Sequence, residues 1–273
     1  MKDDLLYMLN KVSYSYLGRF PAISAADLEI REGERIALVG SNGSGKSTLL
    51  MILAALIFPQ EGVIEFSGGE LREESFCDRA FQKKFRKKVG IVFQNPEIQL
   101  FNSNVSDEIS FGLTQLGLGK DDIAARSKRY MGLMDIEGIK DRHPQYLSVG
   151  EKKRVAIAST LAMEPEVLLL DEPTAGLDPR TSQHLIDAIV SFADRGMTVI
   201  TATQDVHIVS EIAARVLVLN EDKRIVRDGP AEEVMEDNEF LQKYNLVHAH
   251  AHRHKGRVHV HSHEHPTHDH PHA

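Results

Sequence analysis

The sequence predicts an α/β fold: a mainly parallel sheet, an antiparallel β subdomain ahead of it and a helical subdomain inserted into it. Three observations lead there. Short apolar runs, Arg35–Val39, Val167–Leu170 and Val216–Leu219 among them, have the look of strands buried on both faces. Helix-period segments alternate with them, as in a parallel sheet covered on both sides. Between the first such strand and a helix from Leu49 to Leu56 stands Gly40-Ser41-Asn42-Gly43-Ser44-Gly45-Lys46-Ser47-Thr48. Its G-x-x-x-x-G-K-[ST] spacing sits in the strand–loop–helix context that a phosphate-binding loop requires.

Taken in order, Leu6–Tyr16 and Ile23–Ile30 alternate apolar and polar residues around Gly18 and Pro21, an antiparallel pair. Tyr14 and Tyr16 stand two apart on one face, and either could stack on a base or pack in the core. Gly62–Phe66 is a further strand, ending at Gly68-Gly69. The basic stretch Lys83–Lys88 is compatible with a helix and reads as a solvated face rather than a nucleic-acid patch. Val89–Phe93 is a strand closed by Gln94-Asn95-Pro96, and Val105–Met134 is helical, broken at Gly117 and Gly119. Ser148 opens a long amphipathic helix, with Glu151 three positions on completing a capping box. After Val167–Leu170, ending in Asp171-Glu172, come a strand at Thr198–Ala202, a helix at Val206–Ala214 and a strand at Val216–Leu219. Asp228-Gly229-Pro230 is a turn, and the last helices run to about Leu246. Residues 1–246 therefore form one folded domain, its helical subdomain spanning about 97–165, and 247–273 form a tail.

Composition bounds the partners. The chain has 273 residues, 42% of them apolar, enough for a sizeable core. A net charge of −8 leaves no basic excess to neutralise nucleic-acid phosphates. The single cysteine, Cys77, excludes an internal disulfide and suits a reducing compartment. Met1-Lys2-Asp3-Asp4 leads straight into a strand, so no signal peptide is expected, and Leu49–Phe58 is too short to span a bilayer.

The residue types of the loop follow from phosphate chemistry. Its glycines let successive backbone N–H groups turn inward, and the helix that begins there adds the positive end of its dipole. Lys46 can reach the β- and γ-phosphates of a nucleoside triphosphate, and the Ser47 hydroxyl suits a Mg²⁺ shell of oxygen ligands. An acidic pair at the carboxyl end of a buried strand lies where open α/β sheets bind ligands. There Asp171 is suited to holding Mg²⁺ and Glu172 to polarising an attacking water.

With these motifs together, residues 5–246 resemble the ATP-binding subunit of an ABC transporter, a P-loop NTPase. Gly40–Thr48 matches the Walker A loop, Leu168–Glu172 the Walker B strand with its catalytic glutamate, Gln94 the Q-loop, Leu147–Glu151 the signature and Ala175–Asp178 the D-loop. The resemblance implies that Tyr16 stacks on adenine and that Gln94 senses Mg²⁺ and relays the state to a membrane partner. It also implies a head-to-tail dimer sandwiching two ATP molecules, in which Ser148 and Gly150 of one subunit meet the γ-phosphate held by Lys46 of the other. The extended segment Val92–Phe101, Asp107-Glu108-Ile109 with Phe111-Gly112, and Gly150–Ala158 resemble the cobalt and nickel group of energy-coupling-factor importers. Such importers add a transmembrane scaffold and a substrate-capture protein, which implies a peripheral ATPase at the cytoplasmic face of the plasma membrane.

Two departures stand out. Val149 stands at the third position of the signature, where the family usually has glycine, and Gln204 occupies the position of the switch histidine in Thr201–Asp205. Glutamine can donate a hydrogen bond but cannot become cationic. Hydrolysis is therefore expected to survive, slowed, on an intact Glu172, the alternative being a weakly active or inactive subunit that only binds ATP.

The tail carries His248, His250, His252, His254, His259, His261, His263, His265, His268, His270 and His272. Its composition cannot bury a core, so disorder is expected. H-x-H spacing on a flexible chain suits Ni²⁺ or Co²⁺, a buffer, store or sensor beside a metal importer; a neutral solvating extension is the plainer reading. Three functions stay open at this point: a motor for cobalt or nickel import, the same motor serving a vitamin or other solute, and a soluble ATPase working on nucleic acid or ribosomes. The acidic charge and the lack of a long heptad insertion weigh against the third.

Overall fold

A computed structural model describes residues 4–247, 250–254 and 257–261. Strands β1 (Leu5–Tyr16) and β2 (Phe20–Arg31) pair antiparallel, and β3 (Arg35–Val39) follows as the first strand of a second sheet. Helix α1 (Lys46–Leu53) starts three residues ahead of the expected Leu49, because Gly45, at φ 110°, turns the chain directly into it. Strands β4 (Glu61–Phe66) and β5 (Gly69–Glu70) complete the antiparallel sheet in the order β2-β1-β4-β5. The basic stretch forms the last turns of α2 (Arg79–Lys88), which leads into β6 (Val89–Val92).

Helices α3 (Val105–Leu116) and α4 (Lys120–Leu133) are separated as the glycines demand, with Gly117 as a left-handed C-cap at φ 80°. Helix α5 (Val149–Ala162) carries the anticipated capping box: the Ser148 Oγ accepts from the Glu151 N–H at 3.3 Å, and the Glu151 carboxylate accepts from the Ser148 N–H at 2.7 Å. Strand β7 (Val167–Asp171) is followed by α6 (Pro179–Ala193), a helix missing from the sequence reading. Asp178 caps it, Pro179 occupies its first position, and Leu185, Ile186, Ile189 and Phe192 bury one face.

Next come β8 (Thr198–Thr203), α7 (Val209–Ile212) and β9 (Arg215–Leu219). The helix expected at Val206–Ala214 is only a 3₁₀ turn and these four residues, since Ala213 is already extended to feed β9. Asp228-Gly229-Pro230 is not a turn but the end of β10 (Ile225–Pro230), antiparallel to β9. The proline is tolerated there because β10 is an edge strand. The Arg215 side chain holds the Asp228 carboxylate by two bonds of 2.7 Å. Helices α8 (Ala231–Glu236) and α9 (Asn238–Lys243) close the domain.

The second sheet has the order β10-β9-β3-β8-β7-β6, parallel throughout except for β10. Alternate residues of its strands feed opposite layers. Ile36, Leu38, Leu169, Ile200 and Leu217 pack with α1 and the antiparallel sheet. Leu168, Leu170 and Val199 pack with α3, α4, α5 and α6, while Ala37, Val39, Val216 and Val218 meet α7 and α8. Both faces are covered, as the apolar strands require.

In the tail, β11 (His250–His254) and β12 (Arg257–His261) pair antiparallel, where disorder is expected from composition. H-x-H alternation is also a strand period, with His250 opposite His261 and His252 opposite His259. His248 and the histidines from His263 to His272 lie outside the described residues.

Candidate functional site

Sheet order alone assembles the site. Strands β3, β8, β7 and β6 lie side by side and parallel, so the segments leaving their carboxyl ends become neighbours. They are the glycine loop after β3, Gln204 after β8, Asp171-Glu172 at the end of β7 and Gln94 after β6. A cavity of about 370 Å³ is lined by Asn42 to Thr48, Gln94, Asp171, Glu172, Gln204 and Tyr16. Gly40 and Ser41 do not line it. Their carbonyls instead accept hydrogen bonds from Lys46 Nζ, at 2.7 and 3.2 Å.

The loop is wedged too tightly for side chains at two glycines. A Cβ on Gly45 would lie 2.2 Å from the Ala22 carbonyl oxygen of β2, and one on Gly40 would lie 2.5 Å from both the Leu219 carbonyl oxygen and the Ser44 Oγ. The glycines thus let the loop close between the antiparallel sheet and β9, with α1 starting on top of it.

The floor of the cavity holds buried charge of both signs. Burial lowers the Lys46 pKa, opposed by Glu172 and Asp171. Burial raises the Asp171 pKa, opposed by a hydrogen bond with Ser47 and by the charges of Lys46 and Lys153. The Ser44 Oγ, Asp171 Oδ1 and Glu172 Oε1 are buried with no hydrogen-bond partner. Unpartnered buried oxygens require an explanation, and oxygens alone are the ligands Mg²⁺ prefers. Asp171 supplies one such oxygen, and the Ser47 hydroxyl and the Gln94 amide oxygen line the same cavity, so the three suit that ion. Glu172 sits at φ 47°, a left-handed conformation uncommon for a side-chain-bearing residue, with its N–H bonded to the Ala202 carbonyl at 2.9 Å. Held at the turn where β7 ends, its carboxylate could take a proton from a water in the cavity.

The two tyrosines divide the roles left open between them. Tyr14 packs against the core, while Tyr16 is 38% exposed beside the cavity. Their rings meet edge-on at 5.1 Å, and the Tyr16 hydroxyl lies 3.2 Å from the Thr48 Oγ1. A base entering along α1 would find the Tyr16 ring at the mouth.

Ser148 and Gly150 are not brought to this cavity. They open α5, whose N-terminus is oriented by the capping box. Two lysines that the sequence reading passed over do reach the site. Lys153, 3% exposed, donates to the Glu172 carbonyl at 2.7 Å and to the Ala175 carbonyl. Its spacing from Ala156, Ile157 and Thr160 places it on the buried stripe of α5, a signal obscured by the flanking Lys152 and Arg154. Lys223, in the β9–β10 hairpin, lines the cavity and donates to the Gly43 carbonyl at 2.7 Å. No motif marks it.

Among the described residues no cluster of three or more His, Cys, Asp or Glu side chains is arranged for a metal, and no helix is long and apolar enough to cross a membrane.

Comparison with known proteins agrees with this geometry. A family model described as ABC transporter matches residues 23–175. The nickel import ATP-binding protein NikO of Rhodobacter capsulatus is 43% identical over 244 residues, covering 88% of this chain and 95% of that protein. The energy-coupling factor transporter ATP-binding protein EcfA of Methanothermobacter thermautotrophicus is 40% identical over 238 residues, 87% of this chain and 75% of that protein. Among solved structures, cbiO1 of Clostridium perfringens, described as part of the ABC transporter complex cbiONQ, superposes with a TM-score of 0.75 at 36% identity, covering 89% of this chain and 96% of that one. A dimeric ATP-binding cassette, MJ0796, bound to ADP and inorganic phosphate superposes at 0.74 with 26% identity, over 83% of this chain and 99% of that one.

Proposed function

This chain belongs to the ABC transporter family as an ATP-binding subunit of the transport-coupled ATPase kind, and we propose that it energises import of a divalent metal ion, cobalt or nickel, through a membrane partner. The observation that carries the ATPase half is the pair of buried, unpartnered carboxylate oxygens on Asp171 and Glu172 in one cavity with Lys46. The metal half is supported by the name of the relative NikO and by the eleven histidines of the tail.

The residues divide the work as follows. Backbone N–H groups from Asn42 to Ser47 and the start of α1 receive the phosphates, and the Lys46 ammonium leaves its two carbonyl acceptors for the β- and γ-oxygens. Asn42, Gly43, Ser44, Gly45 and Thr48 complete the cradle, and Tyr16 stacks on the adenine. Ser47, Gln94 and Asp171 would hold Mg²⁺, which neutralises charge across the phosphates. Glu172 orients the water and accepts its proton as the oxygen attacks the γ-phosphorus and ADP departs. Gln204 donates one hydrogen bond to the γ-phosphate, a weaker clamp than a cationic imidazole.

Because Ser148 and Gly150 lie off the cavity, they are assigned to a second copy's ATP. The capping box occupies the Ser148 and Glu151 N–H groups, which leaves those of Val149 and Gly150, with the positive end of the helix dipole, to meet an anion from outside. Two copies closing head to tail complete two sites, at the cytoplasmic face of the membrane, under a transmembrane scaffold and a substrate-capture protein. The tail would buffer or sense the imported ion.

Uptake of labelled Ni²⁺ and Co²⁺ in cells lacking the gene tests this. Uptake lost on deletion, restored by the intact gene and not by Glu172→Gln, is the expected result. Unchanged uptake of both ions in cells with no redundant carrier would remove the metal assignment. The relative EcfA, whose name specifies no solute, favours a second reading: the same motor serving a vitamin or other solute.

A further inference from the structure

Helix α5 begins at the proposed anion site and, five residues in, buries a lysine. An ammonium taken out of water must find acceptors. Lys153 finds two backbone carbonyls, those of Glu172 and Ala175, across 19 and 22 residues of sequence. Both belong to the turn that leaves β7. The Ala175 N–H bonds back to the Glu172 carbonyl at 3.3 Å and the Leu177 N–H to the Thr174 carbonyl at 3.1 Å before Asp178 caps α6. Glu172 itself is held at φ 47°. The same two segments also lie close together at a second place, since a Cβ added to Gly150 would reach ordinary van der Waals distance, 3.4 Å, from the Leu177 side chain. The start of α5 is therefore keyed to the 172–177 turn by the Lys153 hydrogen bonds, with Gly150 lying beside Leu177.

We propose that Lys153 is a positioning residue that sets the backbone of the Glu172 turn from the signature helix, and so links a γ-phosphate bound at Ser148 to the base acting at this chain's own ATP. The link rests on the two-chain reading above; the positioning rests on contacts within one chain. From Ser148 to Lys153 is roughly 7 Å of helix, and a single hydrogen bond then reaches Glu172. A displacement of α5 when the partner's nucleotide arrives is thereby passed to the catalytic carboxylate through one rigid element, with no loop between.

The experiment compares Lys153→Met, which matches length without donors, with Lys153→Gln, which keeps two N–H donors without charge. Steady-state hydrolysis, equilibrium ATP binding and melting temperature are measured for both. ATP-dependent dimerisation is followed in the Glu172→Gln background. Lys153→Met is expected to lower kcat about 10- to 100-fold, the scale of an ångström-level misplacement. ATP affinity should stay within roughly 2-fold, because uniform binding is untouched, and the Hill coefficient should fall toward 1. Lys153→Gln is expected to recover most of both losses. A Lys153→Met protein with normal kcat and cooperativity overturns the proposal. So does one in which melting temperature, affinity and kcat fall together and Lys153→Gln restores none of them. If the Glu172→Gln protein stays monomeric in ATP, the two-chain reading fails and the link with it, while a kcat loss recovered by Lys153→Gln still supports the positioning.

Discussion

Placing a methyl group on Gly45 separates two costs that the loop imposes. At φ 110° any L-residue is strained, by about 1–2 kcal/mol. The new Cβ would also lie 2.2 Å from the Ala22 carbonyl oxygen, against an ordinary C···O contact of roughly 3.3 Å. The overlap of about 1 Å is with the backbone of β2 and not with a flexible side chain, so the loop is expected to shift. Overpacking adds about 1–3 kcal/mol, giving a destabilisation of roughly 2–5 kcal/mol in total. The same shift carries the N–H groups of Lys46 and Ser47 off the phosphates, and turnover should fall about 100-fold. Gly43→Ala is the internal control. It too has positive φ, 75°, but its Cβ meets nothing within 4 Å, so only the conformational cost applies. Urea denaturation monitored by circular dichroism, with calorimetric titration of ATP, reads both variants. If Gly45→Ala is as stable and binds ATP as tightly as Gly43→Ala, the close approach to β2 does not shape the loop.

Other changes probe the remaining parts. Glu172→Gln should lower turnover by about 10²–10⁴-fold, the range for a lost general base, with ATP binding retained in a filter assay; comparable loss of binding would mean a structural role. Gln204→His should raise turnover, since an imidazole can add positive charge beside the γ-phosphate; no rise would show that glutamine does not slow this enzyme. The hydrogen bond from the Ser148 N–H, the largest effect, holds the Glu151 carboxyl below its usual pKa of 4.5. The folded state therefore releases that proton more readily than the unfolded chain. Its stabilisation is complete above pH 4.5 and is lost as pH falls through the lowered folded value. Glu151→Gln keeps an acceptor for the Ser148 N–H but not the charge, so it should flatten that acid limb in thermal melts and cost about 0.3–1 kcal/mol near neutrality. Tyr7→Phe removes the buried hydroxyl that donates to the Leu53 carbonyl at 3.0 Å, and a loss of about 1 kcal/mol by urea denaturation is expected.

Where local chemistry and tertiary structure agree, the sequence was legible. Strand β3 begins and ends where its apolar run does, Gly117 breaks the helices, and Ser148 with Glu151 forms the box its spacing announces. Misreadings cluster where tertiary context overrides local preference. Asp228-Gly229-Pro230 has turn chemistry, yet an edge position and the Arg215 fork make it a strand. Helix α6 is written in Asp178, Pro179 and the Leu185–Phe192 periodicity, but its first turn, Pro179 to Ser182, is polar and continues the loop chemistry that ends at Asp178. In the site, a loop and two acidic residues were visible because each is contiguous. Lys153 and Lys223 were not, since a lysine bonding to a carbonyl far along the chain leaves no pattern in its neighbours.

The order β3-β8-β7-β6 has a consequence for how the protein reaches its native state. Strand β8 pairs with β3 across more than 150 residues, so the loop, the acidic pair and Gln204 cannot meet until most of the chain is in place. Pairings of that span are slow to form and are lost cooperatively. A nucleotide that recognises only the finished arrangement then stabilises the whole domain by mass action, by about 4 kcal/mol when present at 1,000 times its Kd. The cell's nucleotide pool would in that way set how long each newly made chain survives as well as how fast it works.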